Sequence, residues 1–473
     1  MWHRAQCFGT KGVMRKDTVS LYQRIVGCGM SISCFVFFAL SLAVPSGYSY
    51  GAAACVIFAL AGVGLCRHKT WSTELKALCA VMVLMGLIWG LSFDGWWSWT
   101  GSDYLFKYWL AALCLVVAYQ VGVHAGSAVW GCALGAAGAL GIAAYQYLVL
   151  GWIKAMGHTN AIQYGGIAMY LGIATWAMAS FGAWPRRQSL LLWLLGGCGV
   201  LASLLSGSRG AWVVAPLLMA VVLGLMWHHG QGRRAMWTAV GAALCVAAMV
   251  IPATDKFEAR VEQAMAEVPL YWDHPQQGAT TSAGQRLEQW RLALRMGAQR
   301  PLTGWGVSGV VVQKQKMVAA GLAHPSVLEY GHAHNEILDM WAKRGLIGVA
   351  VLLAFYAIPL AVMWPTRTRL ARAPPVQRPA LLAVRVAASL LPIAYFGFGW
   401  TQVFFAHNSG NIFYLFSLVA FVGCIRWLEK PQGGRARMSA RPGRSEGQAL
   451  NPAAPAPAHP CAEPARPPSA DRG

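Results

Sequence analysis

The residue types best suited to chemistry gather in one polar stretch. Gly331-His-Ala-His-Asn-Glu336 sets two imidazoles and a carboxylate within six residues. Histidine titrates near neutrality, so an imidazole here could act as a general base. Residues from Asn335 to Arg344 read as a helix, which places His334 at or near its N-terminus. The positive end of a helix dipole lowers an imidazole's pKa and favours the neutral, proton-accepting form. Glu336 or Glu329 could orient the ring. A surface or capping histidine is the plainer alternative, and a zinc site is a third. Against zinc, His332 and His334 stand two apart, not at the i, i+4 spacing of HExxH. No cysteine or nearby third histidine completes a ligand set, so no metal is expected.

Two arginines add a second element. A guanidinium grips phosphate with a rigid, bidentate fork. Arg209 lies in Ser206-Gly-Ser-Arg-Gly-Ala-Trp212 at the start of an apolar run, where backbone N–H groups could face the same anion. Arg286 shares a helix face with Trp290, four residues on. An ordinary surface arginine is the alternative, and Arg291 and Arg295 fit it better. Gly157-His-Thr-Asn160, followed by Gln163 and Tyr164, is a softer candidate. There His158 and Asn160 could meet sugar or phosphate, or Thr159 or Asn160 could simply cap a helix. Lys107 and Lys154 rank below Arg209 as cations for a lipid phosphate. A base beside phosphate-binding arginines at a bilayer edge points to a lipid-linked phosphate substrate.

What must position these residues is a membrane scaffold. Of 473 residues, 56% are hydrophobic and only 12% charged, about half the charge of a soluble domain. That excludes an ordinary soluble enzyme and a disordered chain. Runs of about 20 apolar residues cross a bilayer as helices. Twelve are expected: 24–44, 49–66, 74–93, 105–123, 126–149, 161–182, 188–205, 210–228, 235–252, 345–364, 380–402 and 409–427. The first reads as an uncleaved helix, too long for a signal h-region. Gly131, Gly135, Gly138 and Gly141 form a small-residue stripe suited to close helix packing. Most of the 12 cysteines lie inside the apolar runs, and none falls between Ala253 and Arg344, so no disulfide holds that segment.

The net charge of +21, from 38 Lys and Arg against 17 Asp and Glu, would suggest nucleic acid in a soluble protein. Here it follows topology, and no nucleic-acid partner is expected. The N-terminus, up to the edge of the first span, carries Arg4, Lys11, Arg15, Lys16 and Arg24, and alternate loops carry Arg67 and Lys69, Arg186 and Arg187, Arg233 and Arg234, and Arg367 to Arg378. By the positive-inside rule these are cytoplasmic, with both termini. Trp96, Trp97 and Trp99 then read as an interfacial belt on the opposite side. The division is a cytoplasmic N-terminus 1–23, spans 24–252, a helical cap loop 253–344, spans 345–427, and a disordered cytoplasmic tail 428–473 rich in Pro, Ala, Arg and Gly. The cap carries 10 Lys/Arg and 9 Asp/Glu, so it is no polyanion surface. Amphipathic periods place helices at 256–268 and 284–298, a turn at Gly304-Trp-Gly306, and a third helix entering the tenth span.

These residues resemble a known family. His334-Asn335, nine residues, then Gly345-Leu-Ile-Gly348 matches the H-[NSQ]-x9-G-x-x-[GTY] signature of O-antigen ligases. The SGSRGAW turn, the Arg286 to Trp290 helix and the Pro301 to Gly306 turn, in this order, are similar to the wider O-antigen ligase and polymerase superfamily. A second His-Asn, His407-Asn408, has Leu418 where the signature needs glycine. The resemblance covers roughly residues 20–427. It implies an all-α, GT-C-like integral membrane glycosyltransferase of the bacterial inner membrane, inverting and metal-independent, without a cofactor. Its active site would be periplasmic. Its donor would be polysaccharide on undecaprenyl pyrophosphate and its acceptor lipid A-core, with membrane lipids around it, in lipopolysaccharide biosynthesis. His334 would deprotonate the acceptor hydroxyl. Arg209 and Arg286 would hold the pyrophosphate and stabilise it as it leaves. Trp290, His332, Asn335, Glu336, His158 and Asn160 would line the substrate. An O-antigen polymerase, which shares the fold but uses a lipid-linked acceptor, and a protein O-oligosaccharyltransferase are the alternatives, and the ligase signature favours the ligase reading over the polymerase. A lipid or polysaccharide transporter fits less well, since no paired inverted repeat is visible.

Overall fold

The computed structural model describes residues 11–66, 70–92, 98–250 and 254–430. Arg4, Arg67, Lys69, Trp96, Trp97 and the tail from 431 onward lie outside the described residues. The described chain is helical, with no strand among the described residues. Nine helices come first: α1 (Lys11–Leu40), α2 (Gly47–Gly62), α3 (Thr73–Gly90), α4 (Trp99–Val121), α5 (Ala125–Ala144), α6 (Ala161–Phe181), α7 (Arg186–Leu205), α8 (Arg209–His228) and α9 (Gly232–Val250). The cap follows as α10 (Thr254–Asp273), α11 (Pro275–Gly278), α12 (Ser282–Gln299) and α13 (Gly306–Ala319). Then come α14 (Glu336–Met363), α15 (Arg367–Leu370), α16 (Arg378–Phe398) and α17 (Asn408–Glu429).

Each of the twelve expected spans falls on a helix. Among the described residues, ten helices are long and apolar enough to cross a membrane. The expected spans 161–182 and 235–252 are not among those ten, although α6 and α9 occupy them. In α6 the composition dilutes the apolar residues: Gln163, Thr175, Tyr164, Tyr170 and the glycines Gly165, Gly166 and Gly172 are all buried within it. The glycine stripe of α5 packs against α1. A β-carbon at Gly135 would stand 2.2 Å from the Phe38 carbonyl oxygen, and one at Gly138 would stand 2.8 Å from Ala43 Cβ. Gly141 faces open space, so three of the four glycines carry the packing.

The cap has a small apolar core of its own. Leu292, Ala293 and Met296 of α12 meet Val310 and Met317 of α13, with Val327, Ala333 and Ala342. Helix α13 goes beyond the turn expected at Gly304-Trp-Gly306. Its run GVSGVVVQKQKMVA is rich in β-branched valine and glycine, which weaken a propensity-based helix assignment. Arg291 is an exposed arginine, as expected, and it is also ion-paired. Its guanidinium forks onto Glu288, with Nε at 2.9 Å from Oε2 and one NH2 at 2.7 Å from Oε1. The Tyr271 hydroxyl donates to the same carboxylate, tying α10 to α12.

One joint sets the entry of the cap into the bundle. Within α14, Gly345 has φ 60° and ψ −159°, a break between the cap helix and the span. That region is open essentially only to glycine. The break lets Leu346 N donate to the Pro301 carbonyl at 2.7 Å. Gly304, also at positive φ, comes so close that a β-carbon there would stand 2.4 Å from Arg344 N. The Pro301 to Gly304 turn and the Gly345 break are two halves of one backbone contact.

Candidate functional site

The site is assembled around the turn that connects α16 and α17. Glu336 N, at the start of α14, donates to the Gly399 carbonyl at 2.7 Å. Gln402 Oε1 lies 3.2 Å from His334 Nδ1. On the other side, a β-carbon at Gly210 would collide with Thr401 Oγ1, so the turn that carries Arg209 is pressed onto the same connection. Residues 399–402 therefore bring the Arg209 turn and His334 together across more than a hundred residues of sequence.

His334 precedes the helix rather than opening it. Asn335 is the N-cap, its Oδ1 accepting Leu338 N at 3.0 Å, and His334 stands before it with φ 52°. The ring is buried, at 9% exposure. The expected orienting carboxylates do not reach it. Glu329 takes Gln285 Nε2 at 3.3 Å, and Glu336 Oε2 accepts Phe405 N at 3.2 Å. Gln402, which is not among the expected site residues, is the partner. Its Oε1 also accepts Val403 N at 3.0 Å, which pins the amide orientation. An oxygen can only accept, so His334 Nδ1 carries the hydrogen and Nε2 keeps its lone pair. Burial, then the charge of Arg286, push the His334 pKa down to about 4. The imidazole is neutral at physiological pH.

Arg286 on α12 reaches this ring from the cap. Its pKa is lowered by burial and then by the positive charge of Arg209. The two guanidiniums thus lie within mutual electrostatic reach, and Arg286 lies within reach of His334. Arg286 makes no hydrogen bond or ion pair with the described residues, while Glu267 softens its field at a distance. Trp290, one turn on, has its indole N–H buried without a partner. Like charges gathered at one place favour an anion between them.

The remaining candidates divide. His332 packs on His334, with ring centroids 4.4 Å apart, and its Nδ1 is buried and unpaired. Burial and its imidazole neighbour push its pKa down to about 3. Glu336 is 1% exposed, with Oε1 unpaired. Asn335 spends its amide on the cap, and Asn160 does the same, its Oδ1 accepting Ile162 N and Gln163 N. His158 is exposed. Lys154 runs along the Arg209 turn, its side-chain carbons 3.7 Å from where a β-carbon at Gly207 would be. Lys107 donates to Asn408 Oδ1 at 2.6 Å. A third histidine does come near: His407, from the His-Asn pair that fails the signature, has its ring 5.7 Å from His332. Among the described residues, no three His, Cys, Asp or Glu are arranged to hold a metal ion. The Tyr330 ring stacks edge-on to His334 at 4.6 Å; neither it nor Gln402 carries a sequence signal of its own, and His407 was visible only through its His-Asn pair.

Fold and site together define an all-α integral membrane protein whose polar centre lies under a helical cap. Residues 190–353 match the family model described as O-antigen ligase. That match supports its membership of the O-antigen ligase/polymerase superfamily, and the matched segment contains Arg209, Arg286 and His334. An uncharacterized protein of Haemophilus influenzae is 25% identical over 287 residues, which is 59% of this chain and 69% of that one.

Proposed function

We propose that the protein is an O-antigen ligase: an inverting, metal-independent glycosyltransferase that moves polysaccharide from undecaprenyl pyrophosphate to lipid A-core on the periplasmic face of the inner membrane. The convergence of His334, Arg286 and Arg209 carries this reading. His334 Nε2 takes the proton of the acceptor hydroxyl as its oxygen attacks the anomeric carbon. The bond to the pyrophosphate oxygen breaks on the opposite face, which inverts the centre. Arg209 and Arg286 sit where the leaving pyrophosphate gathers negative charge, and fixed cations act most strongly there. The donor also tunes the base. A pyrophosphate beside Arg286 offsets the charge that depresses His334, so the imidazole becomes a stronger base once the donor is bound.

A test is reconstitution of the purified protein in proteoliposomes with undecaprenyl-pyrophosphate-linked polymer. Lipid A-core, a second lipid-linked repeat unit and a pilin-type protein are offered as separate acceptors. Polymer appearing on lipid A-core alone is the expected outcome. Transfer only to the lipid-linked unit would make it a polymerase, and transfer only to protein an oligosaccharyltransferase.

A further inference from the structure

The catalytic reading uses the His334 ring and leaves the ionised groups beneath it unexplained. Lys314, Asp339 and Lys343 are each 3–4% exposed. Asp339 Oδ1 accepts Ala333 N at 3.0 Å and holds Lys343 Nζ at 2.8 Å. The same ammonium donates to the Gly331 carbonyl at 2.8 Å. Lys314 Nζ, coming from α13, donates to the Tyr330 carbonyl at 2.9 Å and to Gln289 Oε1 at 2.6 Å. The backbone of Tyr330, Gly331 and Ala333 is thus bonded in turn to three buried side chains. All three residues immediately precede His334, while the Asn335 cap fixes the chain immediately after it.

Burying charge is expensive, and apolar residues of like volume would pack as well or better. The expense needs a reason, and the left-handed φ of His334 supplies one. A side chain persists in that conformation only where its surroundings over-determine it. We propose that Lys314, Asp339 and Lys343 are positioning residues: a buried charge cradle that holds the 330–333 segment and so aims the His334 ring. The proposal rests on the reading of His334 as the base. The cradle also sets the field at that base. Arg286 from α12 and Lys314 from α13 face the ring as cations, Asp339 from α14 as an anion and Gln402 as a neutral partner, while the titratable rings of His332 and Tyr330 pack on it at 4.4 and 4.6 Å.

The test uses the full-length protein in proteoliposomes, with undecaprenyl-pyrophosphate-linked polymer and lipid A-core as substrates. Asp339→Asn keeps an oxygen for Ala333 N but removes the charge. It should lower kcat 10- to 100-fold with the donor KM changed less than threefold. Its acid limb of kcat/KM should move to lower pH, because an anion near the base is lost. Lys314→Met should move the same limb to higher pH and lower kcat as well. Folding is controlled by Asp339→Asn/Lys343→Met, which removes the uncompensated ammonium. It should recover the melting temperature lost in Asp339→Asn while kcat stays low. Wild-type kcat in that double variant, or acid limbs that do not move in opposite directions, overturns the cradle. His334→Ala separates the two claims. If it ligates normally, the base reading fails; if it is inactive while the cradle variants are indistinguishable from wild type, the cradle alone fails.

Discussion

At His334 the tautomer is decided by a neutral side chain. Gln402 can only accept through Oε1, so Nε2 is left to take a proton. Gln402→Glu would place an anion there and raise the imidazole pKa from about 4. The acid limb of kcat/KM should move to higher pH by about one unit or more, read from ligation rates between pH 4 and 8. An unmoved limb would mean that this bond does not set the base. The arginines make a different demand. Arg286→Lys keeps the charge and loses the fork, so kcat/KM should drop at least tenfold, with Arg286→Ala worse by a further order of magnitude. Equal activity of the lysine variant would show that charge alone suffices. His334 and Arg286 were legible as residue types and spacing. Gln402 was not, because a lone glutamine after an apolar run carries no pattern until the fold sets it beside an imidazole 68 residues away.

At the scale of elements, the break at Gly345 is what lets a cap helix and a span share one continuous α14. A β-carbon there would lie 2.4 Å from both Leu302 C and O. Gly345→Ala should therefore destabilise the protein by about 2 kcal/mol or more, from the backbone conformation and the collision together. The fall in melting temperature in detergent reports it; an unchanged melting temperature would show that the joint relaxes freely. This contact gives a physical reason for the glycine that follows His-Asn after nine intervening residues, which the sequence shows only as a spacing. Apolar runs located the ten described helices that are long and apolar enough to cross a membrane, and a helix also lies at each of the other two expected spans, since bilayer-length runs leave few alternatives. Helix α13 escaped because a short, valine-rich amphipathic segment in a polar loop reads equally well as an irregular one.

For the whole molecule, buried neutral imidazoles make the fold sensitive to acid. The pKa of His332 lies at about 3 and that of His334 at about 4, both below the ordinary 6.5. Between these values the unfolded chain binds protons that the folded chain does not, so stability falls as pH drops from 6.5 toward 3. His332→Gln should weaken that dependence, seen as a smaller change in melting temperature between pH 7 and 4. An identical pH dependence would mean that His332 does not carry its share. The charge of +21 first read as a possible ligand signal. In the proposed mechanism the chemistry rests instead on a few arginines and one histidine, drawn from α8, α12 and the approach to α14, with residues 399–402 contacting both the Arg209 turn and His334. That joining is a property of the folded bundle, and no local pattern announces it.

The central claim is that His334 is the base for transfer, and the most direct measurement is the single-turnover rate of polymer transfer by His334→Ala in proteoliposomes loaded with lipid-linked donor and lipid A-core. The account predicts a rate reduced by at least a thousandfold, with donor binding retained through Arg209 and Arg286. A variant that transfers polymer at the wild-type rate would contradict it.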